Sequence, residues 1–148
     1  MTAPASPTAA DWRRVLDLLR SAGLPTADLD DAHRDRFLAV RDGVAVVGCV
    51  AVEPYGEAGL LRSLAVAADA RGRGLGARLV DAAEARARAA GLRTLYLLTT
   101  TAAPFFETRG YAAADRSDVP DAVRQSAEFA GVCPASAVCM GKLLSPPR

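Results

Sequence analysis

The chain has 148 residues and a formal net charge of +1. That length suits one domain able to bury a core without staples, and that charge gives no electrostatic case for nucleic acid or an anionic membrane. Hydrophobic residues make up 51% and aromatics 5%, so the core must be aliphatic, built from Ala, Leu and Val.

Residues 1–7 read as a loose terminus. Met1–Ala10 lacks the charged start and apolar core of a secretion signal, and cytoplasm is the expected compartment. No apolar run is long enough to span a membrane. Thr8 followed by Asp11 resembles a helix cap, and Trp12, Val15, Leu16 and Leu19 then recur at helical spacing until Gly23 and Pro25. Thr26–Asp35 is acidic and compatible with a second short helix. Phe37–Val40 and Val44–Val52 are β-rich runs joined by Arg41-Asp42-Gly43, a hairpin signal. Pro54-Tyr55-Gly56 reads as a turn, and Leu60–Val66 as a third strand.

Leu75–Ala90 is an amphipathic helix closed by Gly91. Thr94–Leu98 is a fourth strand, Ala102–Thr108 a short helix, and Tyr111–Ala113 a return to the sheet. Val119–Phe129 reads as an insert helix with Pro120 in its first turn. Ala137–Leu143 is the last strand. This order predicts an α/β fold with a sheet of mixed strand directions. There are no internal repeats and no linker long enough to divide domains, so residues 1–148 are read as one domain.

The most telling stretch is Leu61–Gly76, LRSLAVAADARGRGLG. A strand, a glycine-rich turn and a helix start present backbone N–H groups to a pyrophosphate. The glycines let the backbone bend tightly, and Arg71 and Arg73 add charge beside the anion. No Lys follows the glycines, which excludes the nucleotide triphosphate loop. The acidic ribose ligand of a dinucleotide site is also missing about twenty residues on.

Arg71-Gly72-Arg73-Gly74-Leu75-Gly76 resembles the acetyl-CoA-binding motif Q/R-x-x-G-x-G/A of the GNAT superfamily of N-acetyltransferases, and the resemblance runs from about Arg36 to Leu144. It implies the acyl-CoA N-acyltransferase fold, a mixed twisted sheet flanked by helices. In that fold a splay between the strands carrying Leu64–Val66 and Leu95–Leu98 admits acetyl-CoA as co-substrate. Leu64, Ala65 and Val66 then line the pantetheine arm, and Arg71, Gly72, Arg73, Gly74, Leu75 and Gly76 cradle the pyrophosphate. The Val66 N–H is expected to stabilise the oxyanion.

Leu98–Tyr111, LTTTAAPFFETRGY, resembles the family's second segment, N-x-x-A-x-x-x-Y-x-x-x-G-F/Y. Thr99 takes the Asn position and Phe106 the Tyr, so the usual general acid lacks its hydroxyl. Tyr111, Ser63 and Tyr55 are the alternatives. Phe105 and Phe106 read either as an apolar wall along the cofactor or as core aromatics. The family's strand Glu is missing at Leu60 and Leu61, leaving Glu53 or Glu57 as base; Glu53, which ends a strand, is preferred.

Arg62, in an otherwise apolar strand, needs a partner: either a substrate carboxylate or an internal acid. The wider pattern, with Arg62-Ser63, Thr99-Thr100-Thr101 and Cys133-Pro134-Ala135-Ser136-Ala137, is similar to the bacterial arsenic-resistance N-acetyltransferases. More distantly it is similar to the acetyl-transfer domain of N-acetylglutamate synthase. This implies a small amino-acid-like amine as acceptor, met by Arg62, Ser63, Arg124, Ser126 and Ser136. A peptide acetyltransferase and a non-catalytic CoA-binding sensor are the alternatives. Three cysteines and one histidine, with C-x5-C between Cys133 and Cys139, match no common zinc spacing, and no metal is expected. Relatives with this fold often pair, and Ala137–Leu143 is read as an exposed strand that could take part in a homodimer.

Overall fold

The computed structural model describes residues 1–144. Among the described residues, four α-helices and six strands follow in the order α1 (Ala9–Ser21), β1 (Phe37–Asp42), β2 (Ala45–Tyr55), β3 (Ala58–Val66), α2 (Leu75–Ala89), β4 (Thr94–Thr99), α3 (Ala103–Thr108), β5 (Ala112–Ala113), α4 (Asp121–Arg124) and β6 (Val138–Leu143). The strands form a sheet in the order β1-β2-β3-β4-β6-β5. Its directions are mixed: β1 and β2 are antiparallel, β3 and β4 parallel, and β6 antiparallel to both β4 and β5.

The chain forms two compact units. The first comprises Met1–Val52 and Ser63–Ala83. Thr8 and Asp11 cap α1 reciprocally, each backbone N–H donating to the other's side chain at 3.2 Å; such a box satisfies two of the donors a helix start leaves bare. Trp12, Val15, Leu18 and Leu19 of α1 then bury against Phe37, Ala39, Val46, Cys49, Ala51 and Ala65. The Trp12 and Phe37 rings meet edge to face, 5.1 Å apart. At Gly48 of β2, side chains of α2 come close: a Cβ there would lie 2.9 Å from Leu79 Cδ1 and 3.2 Å from Leu75 Cδ2.

The hairpin is tighter than the sequence suggests. Asp42 pairs with Ala45, which leaves Gly43 and Val44 as a two-residue turn with Gly43 at φ 64°. This left-handed conformation suits glycine.

The second unit comprises Glu53–Arg62 and the chain from Glu84 onward. Ala58, Leu60, Val119, Val123 and Cys139 make its core, with Tyr55, Tyr96, Leu98, Ala114 and Phe129 packed against them. Three sequence expectations are corrected here. Pro54 and Tyr55 lie in β2 rather than a turn, and Gly56-Glu57 makes the link to β3. The expected insert helix Val119–Phe129 is broken: α4 spans four residues, and the chain resumes as a π-helical turn, Glu128–Val132, with Gly131 at φ 154°. The Ser126 hydroxyl takes the Val123 carbonyl at the end of α4. Finally, β6 is not an exposed strand. It starts at Val138 and lies between β4 and β5, whose Ala112 and Ala113 pair with Gly141 and Met140.

Candidate active site

In the first unit, β3 leaves regular geometry at Ser63, a non-glycine residue at φ 59°. Left-handed backbone in a side-chain-bearing residue carries strain. Ser63 is buried and Leu64 and Val66 are half-buried. Arg71 reaches back from the loop, its Nε donating to the Val66 carbonyl at 3.2 Å. Arg73 donates to the Asp69 carbonyl at 3.4 Å. Both arginines are exposed.

Gly72 and Gly74 stand at φ 81° and 74°. No atom lies within 4 Å of where either Cβ would sit, so dihedral freedom, and not crowding by protein, requires glycine, and the space over the loop is open. The Arg78 N–H donates to the Gly74 carbonyl at 3.1 Å. The amides of Leu75, Gly76 and Ala77 therefore precede the hydrogen-bond ladder of α2, at the positive end of the helix dipole. The Leu75 side chain is 2% exposed; only its backbone is available to a ligand. Helix start and open glycine turn together fit a diphosphate.

In the second unit, Arg62 lies among acids. Its Nη1 is 3.5 Å from Glu53 Oε2 and its Nε 3.3 Å from Glu128 Oε1, and the Arg62 side chain has no exposed surface. Glu53 also accepts from the Tyr55 hydroxyl at 3.1 Å. Of the two partners the sequence leaves open for Arg62, internal carboxylates occupy it. Two more acceptor candidates are engaged locally: Ser126 is buried with its hydroxyl on Val123 O, and Arg124 pairs with Asp121. Ser136 is exposed.

The second motif is built around a core. Thr99 Oγ1 accepts from the Ala102 N–H at 3.0 Å, turning the chain into α3. Phe106 is buried between Phe105 and Tyr111, with ring centroids 5.1 and 5.5 Å away, both edge to face. Phe106 is thus a core aromatic, while Phe105 stays half-buried. The Tyr111 hydroxyl donates to Glu84 Oε2 at 2.9 Å. Burial and the Glu84 charge push the Tyr111 phenol far above its ordinary range, which unsuits it as a proton donor to a thiolate. Lys142 Nζ completes this network, donating to both Glu84 oxygens at 2.9 and 3.1 Å and to the Arg109 carbonyl at 2.8 Å.

Glu84 and Glu128 went unmarked in the sequence. Each sits in a segment whose local pattern reads as helix, and nothing nearby shows that it will be buried. Cys49 and Cys139 are poor soft ligands. Burial pushes the Cys49 thiol up to about 12 and raises that of Cys139 as well, keeping both protonated near neutrality.

An α/β protein with a mixed sheet, in which a strand runs through an open glycine turn into a helix start, is thereby defined. Residues 33–113 match the acetyltransferase (GNAT) domain model, and the chain belongs to that family. It is similar to an amino-acid acetyltransferase of Ralstonia nicotianae, 42% identical over 82 residues, which are 54% of this chain and 18% of that protein. A second, from Azotobacter vinelandii, is 43% identical over 73 residues, 48% of this chain and 17% of that one. The chain thus spans less than a fifth of the length of these curated relatives. Among solved structures, it is similar to N-acetylglutamate synthase from Neisseria gonorrhoeae complexed with coenzyme A and N-acetyl-glutamate. The TM-score is 0.84 at 21% identity, covering 96% of this chain and 35% of that one. Rv2747 from Mycobacterium tuberculosis, in complex with CoA and NLQ, gives 0.83 at 19%, covering 97% and 100%. These likenesses establish the fold.

Proposed function

We propose that this chain is one acetyl-CoA-dependent N-acetyltransferase domain acting on the α-amine of a small amino-acid-like acceptor. The observation that carries the reading is the loop after β3. Gly72 and Gly74 are left-handed and open above, and unladdered amides at the start of α2 follow them. This sits within the segment that matches the family. The curated amino-acid acetyltransferases support the acceptor class. Arsenical and phosphinic amino-acid analogues belong to the same proposal through the sequence resemblance. The cytoplasm is the proposed compartment.

Acetyl-CoA supplies the acetyl group as a reactive thioester. The amides from Arg71 to Gly76 and the two arginines hold its diphosphate. The backbone of Leu64–Val66 and the side chains of Thr99 and Phe105 are the proposed contacts further along. Val66 N–H is the proposed donor to the acyl carbonyl, where fixed backbone donors are worth most. Glu53 is the proposed base, taking the ammonium proton directly or through a water. Phe106 contributes packing and no proton.

Calorimetry with acetyl-CoA, followed by a free-thiol assay over amino acids, their arsenical and phosphinic analogues and short peptides, tests the reading. Saturable binding with release accelerated by amino acids is the expected result. Binding without acceptor-dependent release leaves a CoA-binding sensor, and no binding overturns the assignment.

A further inference from the structure

Among the described cations of the second unit, Arg62, Arg88, Arg93, Arg124 and Lys142 each face a carboxylate. Arg116 faces none among the described residues. It is half-buried, and its Nη2 donates to two backbone carbonyls, those of Ala135 at 3.3 Å and Ala137 at 2.9 Å. Its guanidinium carbon lies 5.7 Å from the centroid of the Phe129 ring. These three contacts hold the group without neutralising it. Carbonyl and ring contacts order a guanidinium, but the full charge remains. Both hydrogen bonds leave from Nη2, so Nη1 and Nε keep their donors.

The position of this group matters. The two carbonyls flank Ser136, and Phe129 belongs to the π-helical turn of the late insert, the segments read as acceptor-binding. Arg62, for which a substrate carboxylate was one of two possible partners, is enclosed by Glu53 and Glu128. We propose that Arg116, and not Arg62, binds the carboxylate of the acceptor, an inference that rests on the N-acetyltransferase reading. A cation fixed in advance loses little freedom on binding, so it distinguishes an amino acid from the same molecule with a neutral amide.

The test compares L-amino acids with their α-amides as acceptors, in the full-length wild type and in Arg116→Gln and Arg116→Lys. The wild type should prefer the acids. In Arg116→Gln, KM for the acids should rise about 10- to 100-fold, with kcat and the KM for acetyl-CoA nearly unchanged and the amides unaffected. Arg116→Lys, which keeps the charge, should recover part of the preference. An equal loss for acids and amides in Arg116→Gln would make Arg116 a loop staple and overturn the inference. So would a wild type that uses both equally. If no amine is acetylated, the functional reading falls by itself. The inference is then decided by calorimetry with the same acids and amides: binding selective for acids and lost in Arg116→Gln supports it, and unselective or absent binding overturns it.

Discussion

Arg62 Nε lies 3.3 Å from Glu128 Oε1, joining β3 to the π-helical turn of the insert inside a buried cluster with Glu53. Removing one member of such a cluster strands a charge away from water, which costs about 3–5 kcal/mol. Arg62→Ala and Glu128→Ala should each lower the unfolding free energy by that order in chemical denaturation. A stable Arg62→Ala protein whose only defect was a raised acceptor KM would show that the cluster is not structural.

Gly72→Ala and Gly74→Ala should weaken acetyl-CoA binding. Neither new methyl group meets protein atoms, so the effect comes from forcing a side-chain-bearing residue into left-handed backbone, about 1–2 kcal/mol. Relaxation would turn the loop amides away from the diphosphate. Calorimetry should show about a tenfold loss of affinity for each, and the unfolding midpoint should fall only slightly.

Tyr111→Phe tests a rejected role. Tyr111 is committed to Glu84, and losing that bond should cost about 1–2 kcal/mol of stability. The turnover rate with the best acceptor should stay within about twofold of wild type; a ΔΔG‡ worth a hundredfold or more would reinstate the phenol as the proton donor.

Gly48→Ala should destabilise by about 1–3 kcal/mol through overpacking against Leu79 and Leu75. Leu79→Val in the same chain should restore part of the loss, because it withdraws the δ-methyl that the new Cβ meets. Thermal unfolding of the two variants and the double variant closes the cycle.

Alkaline pH should destabilise the protein. Cys49 keeps its proton in the fold up to about 12, against an ordinary value near 9.0, so between those values the unfolded chain binds fewer protons than the folded one. Stability therefore falls as pH rises through that window. Cys49→Ala should flatten the slope in denaturant titrations between pH 9 and pH 12.

Local rules made much of this protein legible. The Thr8–Asp11 cap, the spacing of Trp12, Val15 and Leu19, and the glycine turn before Leu75 are determined by neighbours a few residues away. A cap, an amphipathic stripe and a left-handed turn each have a short-range signature. The β2–β3 turn was misplaced because Pro54-Tyr55-Gly56 carries turn-type residues, yet strand pairing extends β2 through Tyr55.

The sequence alone determined the order of helices and strands and the glycine turn before α2, since both depend on backbone preferences that nearby residues express. Only the tertiary structure decided which charges are satisfied. Arg62 found Glu128, Glu84 found Lys142 at a separation of 58 residues, and Arg116 met carbonyls in place of a carboxylate. Burial sets the cost of a charge and long-range packing selects its partner, and neither is written in the residues on either side.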